Sequence, residues 1–165
     1  MISRTARFSL AACVLAADRL SKHWIEQNVG AWDTLVVIPN VFQIIHTENR
    51  GAAFGFLANS DSAWRDVILV GVSSLVMIFV AVQLWRMPKD TWPDSSRVAV
   101  ALGLVLGGAA GNLFDRIWRG SVTDFLQVFI GSYEWPSFNV ADSAISTGAV
   151  LLILVIWRTR RQAAV

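Results

Sequence analysis

Val67-Ile68-Leu69-Val70-Gly71-Val72-Ser73-Ser74-Leu75-Val76-Met77-Ile78-Phe79-Val80-Ala81-Val82-Gln83-Leu84-Trp85 is a run of 19 residues without a charge, closed by Asp66 and Arg86. A helix needs about 20 apolar residues to cross a hydrocarbon core, so this run is long enough to span a bilayer. A second run, Val98 to Phe114, has 17 residues, and a third, Ser143 to Trp157, has 15 and reaches spanning length once Asn139 and Asp142 are included. Phe8 to Ile25 is a fourth candidate of 18 residues, carrying Asp18, Arg19 and Lys22 toward one end. The whole chain agrees with this reading. Of its 165 residues, 55% are hydrophobic and only 16% charged, too few charges to solvate a soluble domain, which typically has about 25%. The same balance excludes a disordered chain. A lone Cys13 excludes a disulfide scaffold. The pI of 9.2 goes with a net charge of only +2, so it implies no nucleic-acid footprint. The expected fold class is an all-α membrane protein: a four-transmembrane-helix bundle, residues 1–165 forming one domain.

Charge placement orients the bundle. Arg4 and Arg7 precede the first span, Arg86, Lys89 and Arg97 join the second and third, and Arg158, Arg160 and Arg161 follow the fourth. On the other side stand Arg50, Arg65 and Arg119. The positive-inside rule therefore puts both termini in the cytoplasm. Trp24, Trp64, Trp85, Trp118, Trp135 and Trp157 lie near span ends, as an interfacial belt requires, the alternative being aromatics scattered through a core. Leu10-Ala11-Ala12-Cys13 has the form of a lipoprotein cleavage box, but only Phe8 and Ser9 separate it from Arg7, too short for a signal-peptide core. Cys13 therefore reads as a buried small apolar residue.

Two segments then face outward, about 26–65 and 117–137. In the first, Leu35–Ile38 and Val41–Ile45 flank the turn dipeptide Pro39-Asn40, predicting a small extracytoplasmic β hairpin or sheet at the membrane surface. Asn49 to Leu57 is small, glycine-bearing and apolar, suited to close backbone approach to a bound chain. Arg86–Arg97, with Pro88 and Pro93, reads as a plain linker. Gly107-Gly108-Ala109-Ala110-Gly111 lies inside a span, where small residues let helices approach closely.

Ionisable residues inside a membrane are functional candidates by default, and here they collect at the outer end. Asp18 and Lys22 are four apart on one helix face, and Asn112, Asp115 and Arg116 share another. Asp18 has Lys22, and Asp115 has Arg116 or Lys22, so these read first as neutralised structural pairs. Asp124 and Asp142 have no local cation and flank the second outer segment. Two carboxylates about 4 Å apart at an effective dielectric of 20 repel by roughly 4 kcal/mol. That would lift one pKa from near 4 to near 7 and leave an acid and a base sharing one proton, able to activate water against a peptide carbonyl. Asp142 can equally be a helix cap. His23 and His46 lack metal-ligand spacing, and Ser21 and Lys22 are adjacent and do not face each other. A proton-coupled transporter and a non-enzymatic membrane subunit are the rival classes; no internal repeat supports the former.

Four motifs together resemble the bacterial lipoprotein signal peptidases (signal peptidase II): Asp18-Arg19-Leu20-Ser21-Lys22, Asn49-Arg50-Gly51-Ala52-Ala53-Phe54, Gly107 to Arg116 running on to Gly120-Ser121-Val122-Thr123-Asp124-Phe125, and Phe138-Asn139-Val140-Ala141-Asp142-Ser143. Arg19 stands where that family commonly has an uncharged residue such as Gln. The resemblance implies a membrane-embedded aspartic endopeptidase with Asp124 and Asp142 as the catalytic pair. Its substrate would be a diacylglyceryl-modified prolipoprotein, cut just before the lipidated cysteine. Asn49, Gly51, Asn112, Arg116 and Asn139 would bind substrate, with Asp18, Lys22 and Asp115 as structural support. It further implies no cofactor or metal, inhibition by globomycin, a monomer, and a place in the bacterial inner membrane with the site near the outer face.

Overall fold

The computed structural model describes residues 3–51, 63–87 and 95–163. The chain runs α1 (Arg4–Asn28), β1 (Thr34–Ile38), β2 (Phe42–Asn49), α2 (Ala63–Arg86), α3 (Ser95–Arg119), β3 (Val122–Ile130), β4 (Tyr133–Phe138) and α4 (Val140–Ala163). Three helices among the described residues are long and apolar enough to cross a membrane: Trp64–Arg86, Ser95–Arg119 and Val140–Gln162. The expected fourth, α1, has the length but not the composition, because Arg4, Arg7, Asp18, Arg19 and Lys22 lie along it. The small-residue stretch Ala52–Leu57 and the linker prolines Pro88 and Pro93 fall outside the described residues.

α3 is the central helix, packed against α1, α2 and α4. Its glycines make this possible. A Cβ at Gly107 would stand 2.5 Å from the Ala11 carbonyl oxygen and 2.6 Å from the Val14 side chain, so only glycine lets α1 come this close. Toward one end, Ala11, Val80, Leu84, Ala99 and Leu106 form a buried apolar cluster. There the Arg7 guanidinium caps the end of α2, donating to the Met87 carbonyl at 3.1 Å and the Leu84 carbonyl at 3.4 Å. The outer faces of α2 and α4 carry exposed Leu75, Phe79, Ile153 and Leu154, as lipid-facing helices do. Cys13 is exposed too, correcting its expected burial: a small apolar side chain is as well placed against lipid as in a core.

The Pro39-Asn40 turn joins β1 to β2 as expected, with Asn40 in the left-handed region at φ 59°. The sheet, however, has four antiparallel strands in the order β1-β2-β3-β4. The segment expected as an outer loop supplies β3 and β4, entered through Gly120 at φ 73°. β3 is buried on both faces at its start. Phe125 packs with Ile25 and Val29 at the end of α1, while Val122 and Asp124, two apart and so on the opposite face, line a cavity.

Gly107→Ala is expected to cost about 1–3 kcal/mol through overpacking of α1 on α3. Gly71→Ala, where nothing lies within 4 Å of the added carbon, should leave stability unchanged or slightly raised. Thermal midpoints of the two variants in detergent check the contrast.

Candidate active site

Each candidate side chain is held by the element that carries it. Asn139 is the residue before α4 and caps it: its Oδ1 accepts from the Asp142 backbone N–H at 2.9 Å. Asp142 Oδ2 in return accepts from the Asn139 backbone N–H at 3.2 Å, a reciprocal capping box. This leaves Asp142 Oδ1, which accepts from Asn112 Nδ2 of α3 at 2.7 Å. Asp124 is presented by β3. Its Oδ1 accepts from Asn139 Nδ2 at 2.7 Å and its Oδ2 from Asn49 Nδ2 at 3.0 Å. One fully buried asparagine thus touches both acids, the Asp124 carboxylate through its amide and the Asp142 carboxylate through its backbone N–H.

Behind them lies a second polar layer. Lys22 is fully buried, and its ammonium lies 2.8 Å from Asp18 Oδ2, 2.7 Å from Asp115 Oδ2 and 3.0 Å from Asn112 Oδ1. The ammonium donates hydrogen bonds to Asp18 and Asn112, whereas Asp115 Oδ2 is held by charge alone and accepts no hydrogen bond. Asp18 Oδ1 accepts from the Ala141 backbone N–H at 2.9 Å, tying α1 to the first turn of α4. Gly111 makes the room, since a Cβ there would fall 2.5 Å from Asp18 Oδ2. Asp115 pairs with Lys22 as expected but not with Arg116; its second cation is Arg19. Arg116 instead points into the cavity. It donates to the Gly51 carbonyl at 3.2 Å and the Asn112 carbonyl at 3.4 Å, while Gly51 N–H donates to Asn49 Oδ1 at 2.9 Å.

The cavity has a volume of about 690 Å³, in the range of ligand pockets. Leu69, Val72 and Val76 of α2 and Phe138 of β4 give it apolar walls, and Asn49, Asn112, Arg116, Asp124 and Asp142 its polar face. All ten sequence-level candidates therefore belong to one connected assembly, in which Asn49, Asn112, Arg116, Asp124 and Asp142 line the cavity. Asn139 is wholly enclosed, and Asp18, Lys22 and Asp115 lie behind. Arg19 and Thr123, whose carbonyl accepts from Asn139 at 3.3 Å, were missed. Both stand in the quoted motifs without a role assigned to them, and a spacing of three places Arg19 near Lys22 on the same helix face. Among the described residues no group of three or more His, Cys, Asp or Glu could hold a metal.

Burial, and secondarily the nearby Asp142 charge, push the Asp124 carboxyl up to about 6, against the opposing donors Asn49 and Asn139 and the Lys22 charge. The expected direction holds, but desolvation rather than repulsion is the larger cause.

The chain matches the family profile "Signal peptidase (SPase) II" over residues 10–158. It belongs to the signal peptidase II family. A lipoprotein signal peptidase of Solibacter usitatus (strain Ellin6076) is 46% identical, the match covering 98% of this chain and 96% of the relative. That of Syntrophotalea carbinolica (strain DSM 2380 / NBRC 103641 / GraBd1) is 42% identical over 90% and 89%. A solved structure titled a bacterial membrane enzyme at 2.3 Å superposes with a TM-score of 0.81 at 28% identity, covering 93% of this chain and 88% of that one. As a signal peptidase II the protein is a membrane protease that cleaves signal peptides from prolipoproteins.

Folded Asp124 retains a proton that the unfolded chain releases near 3.8, so the folded state binds more protons between there and about 6. Stability should fall as pH rises through that window, by about 3 kcal/mol, with the loss persisting above it. Unfolding midpoints measured from about pH 4 to pH 7 should show this slope in the native protein, and Asp124→Asn should flatten it.

Proposed function

We propose that cleavage is aspartic, with Asp124 and Asp142 as the catalytic pair. The observation that carries this reading is Asn139, one residue that donates to two carboxylates on a shared cavity wall, from its side-chain amide to Asp124 Oδ1 and from its backbone N–H to Asp142 Oδ2. Their surroundings differ in a useful way. Asp124 is 2% exposed and its carboxyl is raised, so it is the partner that holds the proton. Asp142 stands in the first turn of α4, where the Asn139 backbone N–H and the helix dipole suit an anion. Asp142 takes a proton from water, whose oxygen bonds to the scissile carbonyl carbon, while Asp124 gives its proton to the carbonyl oxygen. The tetrahedral adduct then breaks its C–N bond. A proton passes to the leaving nitrogen, giving a free carboxyl on the signal peptide and an amine on the new N-terminal cysteine.

The substrate is the diacylglyceryl-modified prolipoprotein, its acyl chains lying in lipid beside the apolar α2 wall and its peptide on the polar face. Asn49, Gly51 and Arg116 meet the substrate backbone; Arg116 already holds a peptide carbonyl, that of Gly51. Asn112 and Asn139 act through the acids they hold, and Asp18, Lys22 and Asp115 support them. α1 serves as a fourth span despite its charges, because Asp18 and Lys22 face inward and are neutralised. The chain forms a single domain in the inner membrane with both termini cytoplasmic. Arg4 stacks over Trp85 at 5.2 Å and Arg161 over Trp157 at 4.0 Å, at the end opposite the sheet, which supports a basic inner interface and a site at the outer face. The enzyme acts as a monomer, needs no cofactor, and takes globomycin in the same cavity.

With a purified enzyme and a diacylglyceryl-cysteine peptide, Asp124→Asn and Asp142→Asn should each lower kcat by about 10²–10⁴-fold. Persistent cleavage in both overturns the dyad. Asn49→Ala and Arg116→Ala should each lose about 10–100-fold while keeping a native thermal midpoint. The unlipidated peptide should be cut far more slowly. For the lipidated one, kcat/KM should decline as pH rises through about 6, where the free enzyme loses the proton on Asp124; a flat profile there removes Asp124 as the acid.

A further inference from the structure

Arg19 has a definite place in the ionic layer behind the acids. Its side chain is 23% exposed, its guanidinium carbon lies 4.5 Å from the centre of the Phe114 ring, and Nη1 pairs with Asp115 Oδ1. From there an unbroken chain of contacts leads to the cavity. Asp115 Oδ2 lies 2.7 Å from Lys22 Nζ, Lys22 Nζ 3.0 Å from Asn112 Oδ1, and Asn112 Nδ2 2.7 Å from Asp142 Oδ1. The links alternate between α1 and α3 before reaching α4.

We infer that Arg19 is a positioning residue for the cleavage reaction: by sharing Asp115 with Lys22, it holds the Asn112 amide against Asp142 and keeps the layer behind the acids electrically neutral. This rests on the dyad reading above. Arg19 and Lys22 balance Asp18 and Asp115 two against two. Without Arg19 the layer carries a net negative charge. Asp115, whose remaining ion pair among the described residues is with Lys22, draws the ammonium away from Asn112, and the amide that orients Asp142 loses its anchor. Lys22 acts on Asp18 of α1, Asp115 of α3 and Asp124 of β3, Arg19 acts on Asp115 and on Glu26 of α1, and Arg116 of α3 acts on Asp115, Asp124 and Asp142 of α4. Arg19 is partly exposed, and it touches neither the cavity nor the acids. Loss of a positive charge favours the protonated form of nearby carboxyls.

The test uses full-length enzyme in detergent, a diacylglyceryl-cysteine peptide, and complete pH profiles of kcat and KM for native protein, Arg19→Gln, Arg19→Met and Arg19→Lys. Arg19→Met keeps the apolar stem over Phe114 and serves where Arg19→Gln fails to fold. Both neutral variants should move the acid and alkaline limbs upward together by several tenths of a pH unit and lower kcat several-fold, with KM near native. Arg19→Lys should return the limbs to their native positions. Limbs unmoved in the neutral variants, even with kcat reduced, overturn the proposal and leave Arg19 as packing on Phe114. So does a lysine variant that behaves like the neutral ones. Asp142→Asn is run alongside: if it still cleaves, the dyad reading fails and takes the Arg19 role with it, whereas loss of cleavage there with unmoved limbs in Arg19→Gln removes the Arg19 role alone.

Discussion

A fully buried ammonium is the constraint around which this protein is arranged. A buried ammonium depends on the partners that meet it, and removing one partner of a buried ion pair typically costs 3–5 kcal/mol. Asp18, Asp115 and Asn112 meet it from two helices. Because Asp18 also accepts from the Ala141 N–H, the same cluster fixes where α4 begins. The start of α4 in turn places Asn139 and Asp142. The glycines of α3 are the steric counterpart of this electrostatic fact: Gly107 and Gly111 bring α1 within reach.

The two acids are made different by the structures that present them. Asp142 sits where a helix start offers N–H groups, and it both closes a capping box and accepts from Asn112. Capping is therefore compatible with the catalytic role proposed for this residue; one carboxylate oxygen serves the cap and the other faces Asn112 from across the bundle. Asp124 has no helix start beside it. It lies in a strand enclosed on both faces, and enclosure raises its carboxyl more than its neighbour's charge does. In the proposed mechanism, a strand and a helix start, held together by one asparagine, yield an acid and a base from identical side chains.

Much of this was legible in the chain. Uncharged runs gave the long helices, Pro39-Asn40 gave the hairpin, and the polar residues at one level gave the site. The rest depended on facts that are not local. Val122–Ile130 does not alternate cleanly, because the start of β3 is buried on both faces, so it read as loop. Cys13 was misplaced because burial reasoning assumes water outside. Arg19 and Asp115 are 96 residues apart, and no helical spacing joins them. The cause of the raised Asp124 carboxyl was misjudged for the same reason: repulsion follows from counting acids, whereas desolvation follows only from what encloses them.

The distribution of polarity inverts that of a soluble protein, and the inversion has a chemical logic. Apolar side chains of α2 and α4 face outward, so apolar burial supplies little to distinguish one arrangement of helices from another in lipid. What distinguishes them is the need to satisfy Asp18, Lys22, Asn112, Asp115 and Asn139 together, a condition that few arrangements meet. The residues that specify the fold are then the same residues that hold the acids, so substitutions in this layer act on assembly and on turnover at once. Residues at its margin escape that coupling. Arg19, partly exposed and one ion pair removed from Lys22, stands at that margin, which is what makes it the place to vary the charge of the proposed site.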